Sequence, residues 1–203
     1  MDRSLIPVFD VGGVLLDWDP RHLYRKIFAD EAAMEAFLAT VCPPSWNREL
    51  DAGVPFGDAV AARIAAFPEW EPEIRAYDTR WQEMVAGPIP GTVRCLRALK
   101  AAGHPLYAIS NFSAEKFALE RQRWDFLSLL EGVVLSADIG ILKPAADIYR
   151  HFCRTYGVVP DRCLFIDDKA ENVTGAEAIG MHGHHFHSPQ RLEDNLRARG
   201  LLG

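Results

Sequence analysis

Polar residues of four kinds follow short apolar runs in this chain, and as a set they could move a phosphoryl group. Asp10 ends "PVFD", Ser110 and Asn111 follow "PLYAI", Lys143 lies in "GILKP", and Asp167 and Asp168 follow "CLFI". Taken singly, each has an ordinary structural explanation. Asp10 and Gly12 can make a turn, Ser110 or Ser113 can cap a helix, Lys143 can be solvated, and Asp168 can cap the helix starting near Ala170. Taken together, three carboxylates drawn to one place repel one another unless a cation sits among them. A hard oxygen donor set without Cys or a close His suits Mg²⁺ better than a transition metal. Lys143 adds a second positive charge, and Ser110 with nearby main-chain N–H groups adds donors for a phosphoryl group whose charge must be neutralised in transfer. In that chemistry Asp10 is the nucleophile.

The elements that must position these residues are legible as alternating strands and helices. Runs 4–9, 105–109, 132–135 and 163–166 read as strands, with 184–187 a weaker fifth. One helix opens at Pro90, carries the stripe Val93, Leu96, Leu99 and Ala102, and closes at Gly103; another runs from Ala145 to Tyr156, between Pro144 and Gly157. The alternation predicts an α/β fold, a Rossmann-like parallel sheet with helices on both faces and ligands at the carboxyl ends of its strands. About 95 residues separate the first strand from the second, far more than a crossover needs. The intervening segment is helical in pattern: Pro20 opens a helix, and Val60, Ile64 and Phe67 share one face of another. The expected organisation is a core domain of residues 1–16 and 89–203 with an inserted helical cap domain over 17–88.

Composition narrows the partners. Of 203 residues, 49% are apolar and 25% charged, as in ordinary globular chains, and the net charge of −6 leaves no basic footprint for nucleic acid. No stretch approaches a membrane span, and the N-terminus leads into a strand rather than a signal peptide. Cys42, Cys95, Cys153 and Cys163 are widely spaced with no CxxC, which reads as reduced thiols in a cytoplasmic protein. The expected partner is a small-molecule phosphate ester, with no nucleic acid and no membrane; monomer and homodimer are equally compatible with the sequence.

The strings "FDVGGVL", "ISNFS", "GILKPAADIY" and "FIDDKAENVTGA" occur in the order of the four motifs of the haloacid dehalogenase superfamily. The chain resembles the branch of that family with a helical cap between the first two motifs, over essentially its whole length. The resemblance implies that Asp10 forms an aspartyl-phosphate, that the Gly12 carbonyl ligates Mg²⁺, and that Ser110 and Asn111 bind phosphoryl oxygens while Lys143 steadies nucleophile and phosphate. It further implies Asp168 as the direct metal ligand, Asp167 acting through water or from behind it, and Asn172 bracing the metal loop.

Gly12 departs from the family's usual pattern, in which a second Asp at this position protonates the leaving oxygen and later assists water. Three explanations follow: Asp17, Asp19 or His22 substitutes, the leaving group needs little protonation, or catalysis is weak or lost. The chain also resembles the bacterial glucose-1-phosphate phosphatase branch, whose first motif is likewise D-x-G, and a sugar phosphate is the expected substrate type. A 2-haloacid dehalogenase, with Asp10 attacking carbon and no metal, is the alternative within the fold. Dehalogenases replace the acid pair of the fourth motif with smaller neutral residues, whereas "IDDKAEN" keeps both, which favours a phosphatase. A non-catalytic phosphometabolite-binding protein is the alternative outside enzymology.

Two further stretches carry chemical residue types. "MHGHHFH" brings His182, His184, His185 and His187 to one strand; alternation splits them between faces, so solvated edge-strand histidines are favoured over a zinc site. "PPSWNRELDAGVPF" places Trp46, Asn47, Arg48 and Asp51 around an expected irregular loop of the cap, where Trp46 and Arg48 are candidates for contacting substrate.

Overall fold

The computed structural model describes residues 5–203; Ser4, the first residue of the expected N-terminal strand, lies outside them. Seven strands form: β1 (Ile6–Phe9), β2 (Leu16–Trp18), β3 (Val85–Pro88), β4 (Tyr107–Ser110), β5 (Gly132–Leu135), β6 (Cys163–Asp167) and β7 (His182–His185). Five of them make a sheet in the order β5-β4-β1-β6-β7, parallel throughout. The fold is α/β and Rossmann-like. From β1 the chain crosses to β4 and β5 on one side, then to β6 and β7 on the other. That reversal opens a crevice at the carboxyl end of β1, which is where ligands collect in such sheets.

Alternation along the strands separates the two faces. Val8, Ile109 and Phe165 pack with Ile148, Tyr149 and Phe152 of the helix Ala146–Tyr156 on one face. Phe9, Ala108 and Ile166 join the larger cluster on the other, which includes Val93, Leu96 and Leu99 of the helix Pro90–Ala101. Ala102, expected on that stripe, caps the helix and is exposed, because the turn to Gly103 (φ +86°) carries it off the buried face.

The long connection from β1 is more ordered than a plain insertion. β2 and β3 pair antiparallel as a two-stranded ribbon, and the expected boundaries at 16/17 and 88/89 fall within it. Neither strand was expected, since three and four residues are too short to show periodicity. The ribbon carries the helices Arg21–Tyr24, Glu31–Thr40, Pro44–Asp51, Phe56–Ala66 and Glu71–Thr79. Their interior is aromatic: Tyr24, Phe28, Phe37 and Trp70 form a chain of ring contacts, with centroids 4.9–6.0 Å apart from Tyr24 to Phe37, Phe37 to Phe28 and Phe28 to Trp70.

Two expectations for this region and the sheet edge are corrected. The irregular loop around Trp46 is a helix, Pro44–Asp51, because Pro43 holds extended backbone and Pro44 presets the helical φ at the first turn. The last strand is His182–His185 rather than 184–187, set by pairing from Leu164↔His182 to Asp167↔His185.

Candidate active site

Asp10 is fixed by the sheet before its side chain does anything. Its N–H donates to the Ile166 carbonyl at 2.8 Å, which continues the β1–β6 ladder and brings Asp10 beside Asp167. One carboxylate oxygen, Oδ1, accepts from the Ser110 hydroxyl at 2.6 Å and from the Val11 N–H at 2.7 Å. The other, Oδ2, lies 2.8 Å from Lys143 Nζ. Lys143 also donates to Asp167 Oδ2 at 2.7 Å and to the Ile109 carbonyl at 3.1 Å, so its three protons all have acceptors although the side chain is only 1% exposed.

The electrostatics follow from burial. Desolvation pushes the Asp10 carboxyl up to about 7, against the pull of Lys143 and with the push of Asp167. Burial works against the Lys143 ammonium, yet Asp10 and Asp167 hold it above its ordinary value. Burial and Asp167 together also raise Asp168. Lys143 is the one buried cation among the three acids, with the exposed Lys169 acting on Asp168 from outside.

Asp167 and Asp168 differ in what they have left to offer. Asp167 is fully buried and fully engaged: besides Lys143 it accepts from the Lys169 N–H at 2.8 Å and from Asn172 Nδ2 at 3.0 and 3.1 Å. Asp168 Oδ1 is buried with no hydrogen-bond partner. Oxygens of Asp10, Asp167 and Asp168 lie within 4.8 Å of one another, and this is the one such cluster among the described residues. Gly13 (φ +76°) completes the cradle, since a Cβ there would sit 2.7 Å from the Asp168 carboxyl. An orphaned oxygen, an excess of negative charge and an all-oxygen donor set fit a hard divalent cation.

Asn111 is committed elsewhere than expected. Its side chain clamps the Lys143 backbone, accepting from the N–H at 2.8 Å and donating to the carbonyl at 3.1 Å. That clamp presents the lysine and uses one of the two Nδ2 protons, and Asn111 itself lines the cleft.

These groups open into a cleft of 780 Å³ between the strand ends and the inserted helices. Arg48 lies exposed on its rim. Trp46 does not line it: this ring is buried among the helices, edge-on to Tyr77 at 4.8 Å and below the Arg63 guanidinium. The inserted wall is instead largely apolar, with Leu38, Cys42, Phe56 and Trp81 facing the space, and Phe112 joins them from the loop after β4. Trp18 lines it too, and its indole N–H is buried without a partner. None of these was singled out from sequence, because an apolar cleft residue looks like any core residue.

The acids proposed to stand in for Gly12 fare unevenly. Asp17 and His22 pair with each other at 3.2 Å and do not line the cleft. Asp19 lines it, but accepts from the Arg21 N–H at 2.8 Å and from its guanidinium at 3.3 Å. Gly12 lies outside the left-handed region, and a Cβ built on it would meet nothing within 4 Å. The histidines do not converge on a metal site. His185 Nε2–H donates to the Asp168 carbonyl at 3.0 Å, and its ring lies tilted against that of His187, centroids 4.1 Å apart. Of these four, His182 and His187 are exposed, as expected of a solvated edge, and His184 and His185 are half-buried.

The profile of haloacid dehalogenase-like hydrolases matches residues 8–180. Sesquiterpene phosphatase astK of Aspergillus oryzae is 27% identical over 199 residues, covering 97% of this chain and 95% of its own. (S)-2-haloacid dehalogenase 4A of Burkholderia cepacia is 30% identical over 95 residues, 46% of this chain and 40% of its own. The crystal structure of a HAD family enzyme from Bacteroides thetaiotaomicron, a magnesium complex, superposes with a TM-score of 0.74 at 17% identity, covering 97% of this chain and 100% of that one.

Proposed function

The chain belongs to the haloacid dehalogenase-like hydrolases, and from that premise we propose that it is a Mg²⁺-dependent phosphatase of small phosphomonoesters working through an aspartyl-phosphate on Asp10. The observation that carries this reading is the retained acid pair: Asp167 is locked to Lys143 and Asn172, and Asp168 presents a buried oxygen with no partner. An attack on carbon with halide leaving has no use for that surplus of negative charge. A phosphoryl transfer does, because a cation held there neutralises the transferred group.

Asp10 and Asp168, with the Gly12 carbonyl, would hold Mg²⁺, which when bound supplies a Lewis acid for a phosphoryl oxygen. Asp10 attacks phosphorus, the bond from phosphorus to the ester oxygen breaks, and that oxygen takes a proton as the alcohol leaves. Water then attacks the phosphorus of the aspartyl-phosphate, releasing inorganic phosphate and the free carboxylate. Lys143 neutralises the attacking group and Ser110 orients it; Asn111, which lines the cleft, offers its remaining Nδ2 proton to a phosphoryl oxygen. Residues 17–88 act as a cap that excludes water and reads the organic part of the ester. Its apolar wall favours an ester with hydrocarbon near the phosphate over a polyhydroxyl sugar. Four free cysteines, three of them buried, support a cytoplasmic enzyme.

The test is a panel of phosphate esters with Mg²⁺ and with chelator, using Asp10→Asn as control, beside halide release from 2-chloropropionate. Phosphate release that needs Mg²⁺ and Asp10 is expected. Halide release in chelator would favour the dehalogenase, and binding of phosphate without turnover of any ester would favour a sensor.

A further inference from the structure

Four acids line the cleft outside the Asp10, Asp167 and Asp168 cluster: Asp19, Glu35, Asp51 and Glu171. Glu35 forms two hydrogen bonds with Arg21, at 2.6 and 2.8 Å, which hold its carboxyl below the ordinary value. Asp19 is bound to the same arginine, and Glu171 is exposed at the rim. Asp51 alone is held by an amide rather than a cation. Asn47 Nδ2 donates to its Oδ2 at 2.9 Å, and Asn47 Oδ1 in turn accepts from the Tyr77 hydroxyl at 2.8 Å. That chain fixes the carboxyl's orientation while leaving its Oδ1 free of it.

The backbone at Asp51 is pinned to the core side of the cleft. Its carbonyl accepts from the Ser136 hydroxyl, which also accepts from the Phe112 N–H at 3.1 Å. Ser136 follows β5 and Phe112 follows β4, so one hydroxyl ties the end of the helix Pro44–Asp51 to two strand ends beside Ser110. Gly53 (φ +101°) permits the approach, since a Cβ there would lie 2.7 Å from the Ala137 carbonyl oxygen. Asp51 is thus an inserted-domain acid at the catalytic seam.

We propose that Asp51 is the proton-transfer residue of this enzyme, donating to the leaving oxygen and then accepting a proton from the attacking water in place of the acid missing at Gly12. The assignment rests on the phosphatase reading. In the first step the Asp51 O–H bond breaks as the alcohol's O–H forms, so Asp51 is left ionised. In the second, water loses a proton to it as the bond from phosphorus to Asp10 breaks, and the starting state returns. The charged groups that face it are Lys169, Asp10, Lys143 and Arg48; burial outweighs the cations and pushes its carboxyl up to about 7, so it carries a proton near neutral pH.

The experiment compares hexyl phosphate, whose alkoxide must be protonated, with p-nitrophenyl phosphate, whose phenolate need not be, in Mg²⁺. Asp51→Asn keeps shape and the contact to Asn47. It is expected to lower kcat/KM on hexyl phosphate by about 10²–10⁴-fold. With p-nitrophenyl phosphate the burst of phenolate should keep its rate within about three-fold and reach one equivalent, followed by slow turnover, because only hydrolysis of the covalent intermediate is impaired. Adding Gly12→Asp to Asp51→Asn, where the structure has open space, should restore at least about ten-fold on hexyl phosphate, and this second variant does not depend on the geometry at position 51. Equal losses on both esters, or none on either, or no rescue by Gly12→Asp in a folded double variant, would overturn Asp51 while leaving the phosphatase intact. A parent enzyme that hydrolyses neither ester would overturn the phosphatase reading, and Asp51 with it.

Discussion

The strand-end cluster and the helical wall opposite it are built on opposite principles. At the strand ends Asp10, Ser110, Lys143 and Asp167 share a closed set of bonds of 2.6–2.8 Å among buried groups, and Asp168 Oδ1 is left over. Across the cleft, Leu38 and Phe56 offer shape and no polar group, while the acids are held apart from the cluster, Asp19 and Glu35 on Arg21 and Asp51 on the amide chain from Tyr77. The cluster tolerates little change because each group satisfies another's charge. The wall is adjustable, since apolar contacts are non-directional. Attack on phosphorus, which is the same for every ester, sits on the rigid side; discrimination between esters, and the proton transfer assigned to Asp51, sit on the other.

The contrast is broken most severely at Asp10. Asp10→Asn should lower turnover by at least about 10⁴-fold, because an amide cannot attack, while far-UV circular dichroism stays unchanged. Lys143→Met tests whether the rigid side is held by charge. It leaves two buried carboxylates without their cation and should cost about 3–5 kcal/mol in chemical denaturation. The deficit should shrink as pH falls, because the orphaned acids can then take up protons.

A smaller effect is expected from the cation. Saturating Mg²⁺ at 100 times its Kd should stabilise the parent by about 2.7 kcal/mol, and Asp168→Ala should remove most of that shift in thermal melts. Smaller again is the contribution of Asp51 to metal-free stability. Its folded-state value of about 7 lies above the ordinary 3.8, so the folded protein holds its proton more tightly. The resulting stability is complete below pH 4 and is lost as pH rises through 7. Asp51→Asn should therefore melt higher than the parent at pH 8 and show a flatter pH profile from 4 to 8. A gain of about 1–2 kcal/mol is expected, below the full linkage value because the residue is half-buried and solvent screens it. The wall itself is read by a series of n-alkyl phosphates, in which each further methylene should add about 0.8 kcal/mol to transition-state binding until the space is filled. A flat series would mean that the wall does not touch the substrate.

The same contrast decides what the sequence reveals. Asp10, Ser110, Lys143 and Asp167 each close an apolar run, and a parallel sheet brings the ends of such runs to one edge, so the strands and their polar termini are legible as strings. Bonding partners are not. That Asn111 serves Lys143, or that Asp167 rather than Asp168 is saturated, depends on distances across four strands. The wall is legible least of all. Trp46 was the conspicuous residue of its segment and is core, whereas Asp51 stands five residues on, at the end of a helix that two prolines started. Asp17, Asp19 and His22 were nearest in sequence to the gap at Gly12, but two of them pair with each other away from the cleft and the third is bound to Arg21.

The open volume beside Gly12 also bears on how this protein could change over generations. Codons for glycine and aspartate can differ by a single nucleotide, and the first side-chain carbon of the replacement would meet no atom within 4 Å. At the first side-chain carbon, packing raises no barrier between this chain and its family's usual first motif. A selection for faster ester hydrolysis should reach that replacement in one mutational step, after which Asp51 would be free to drift.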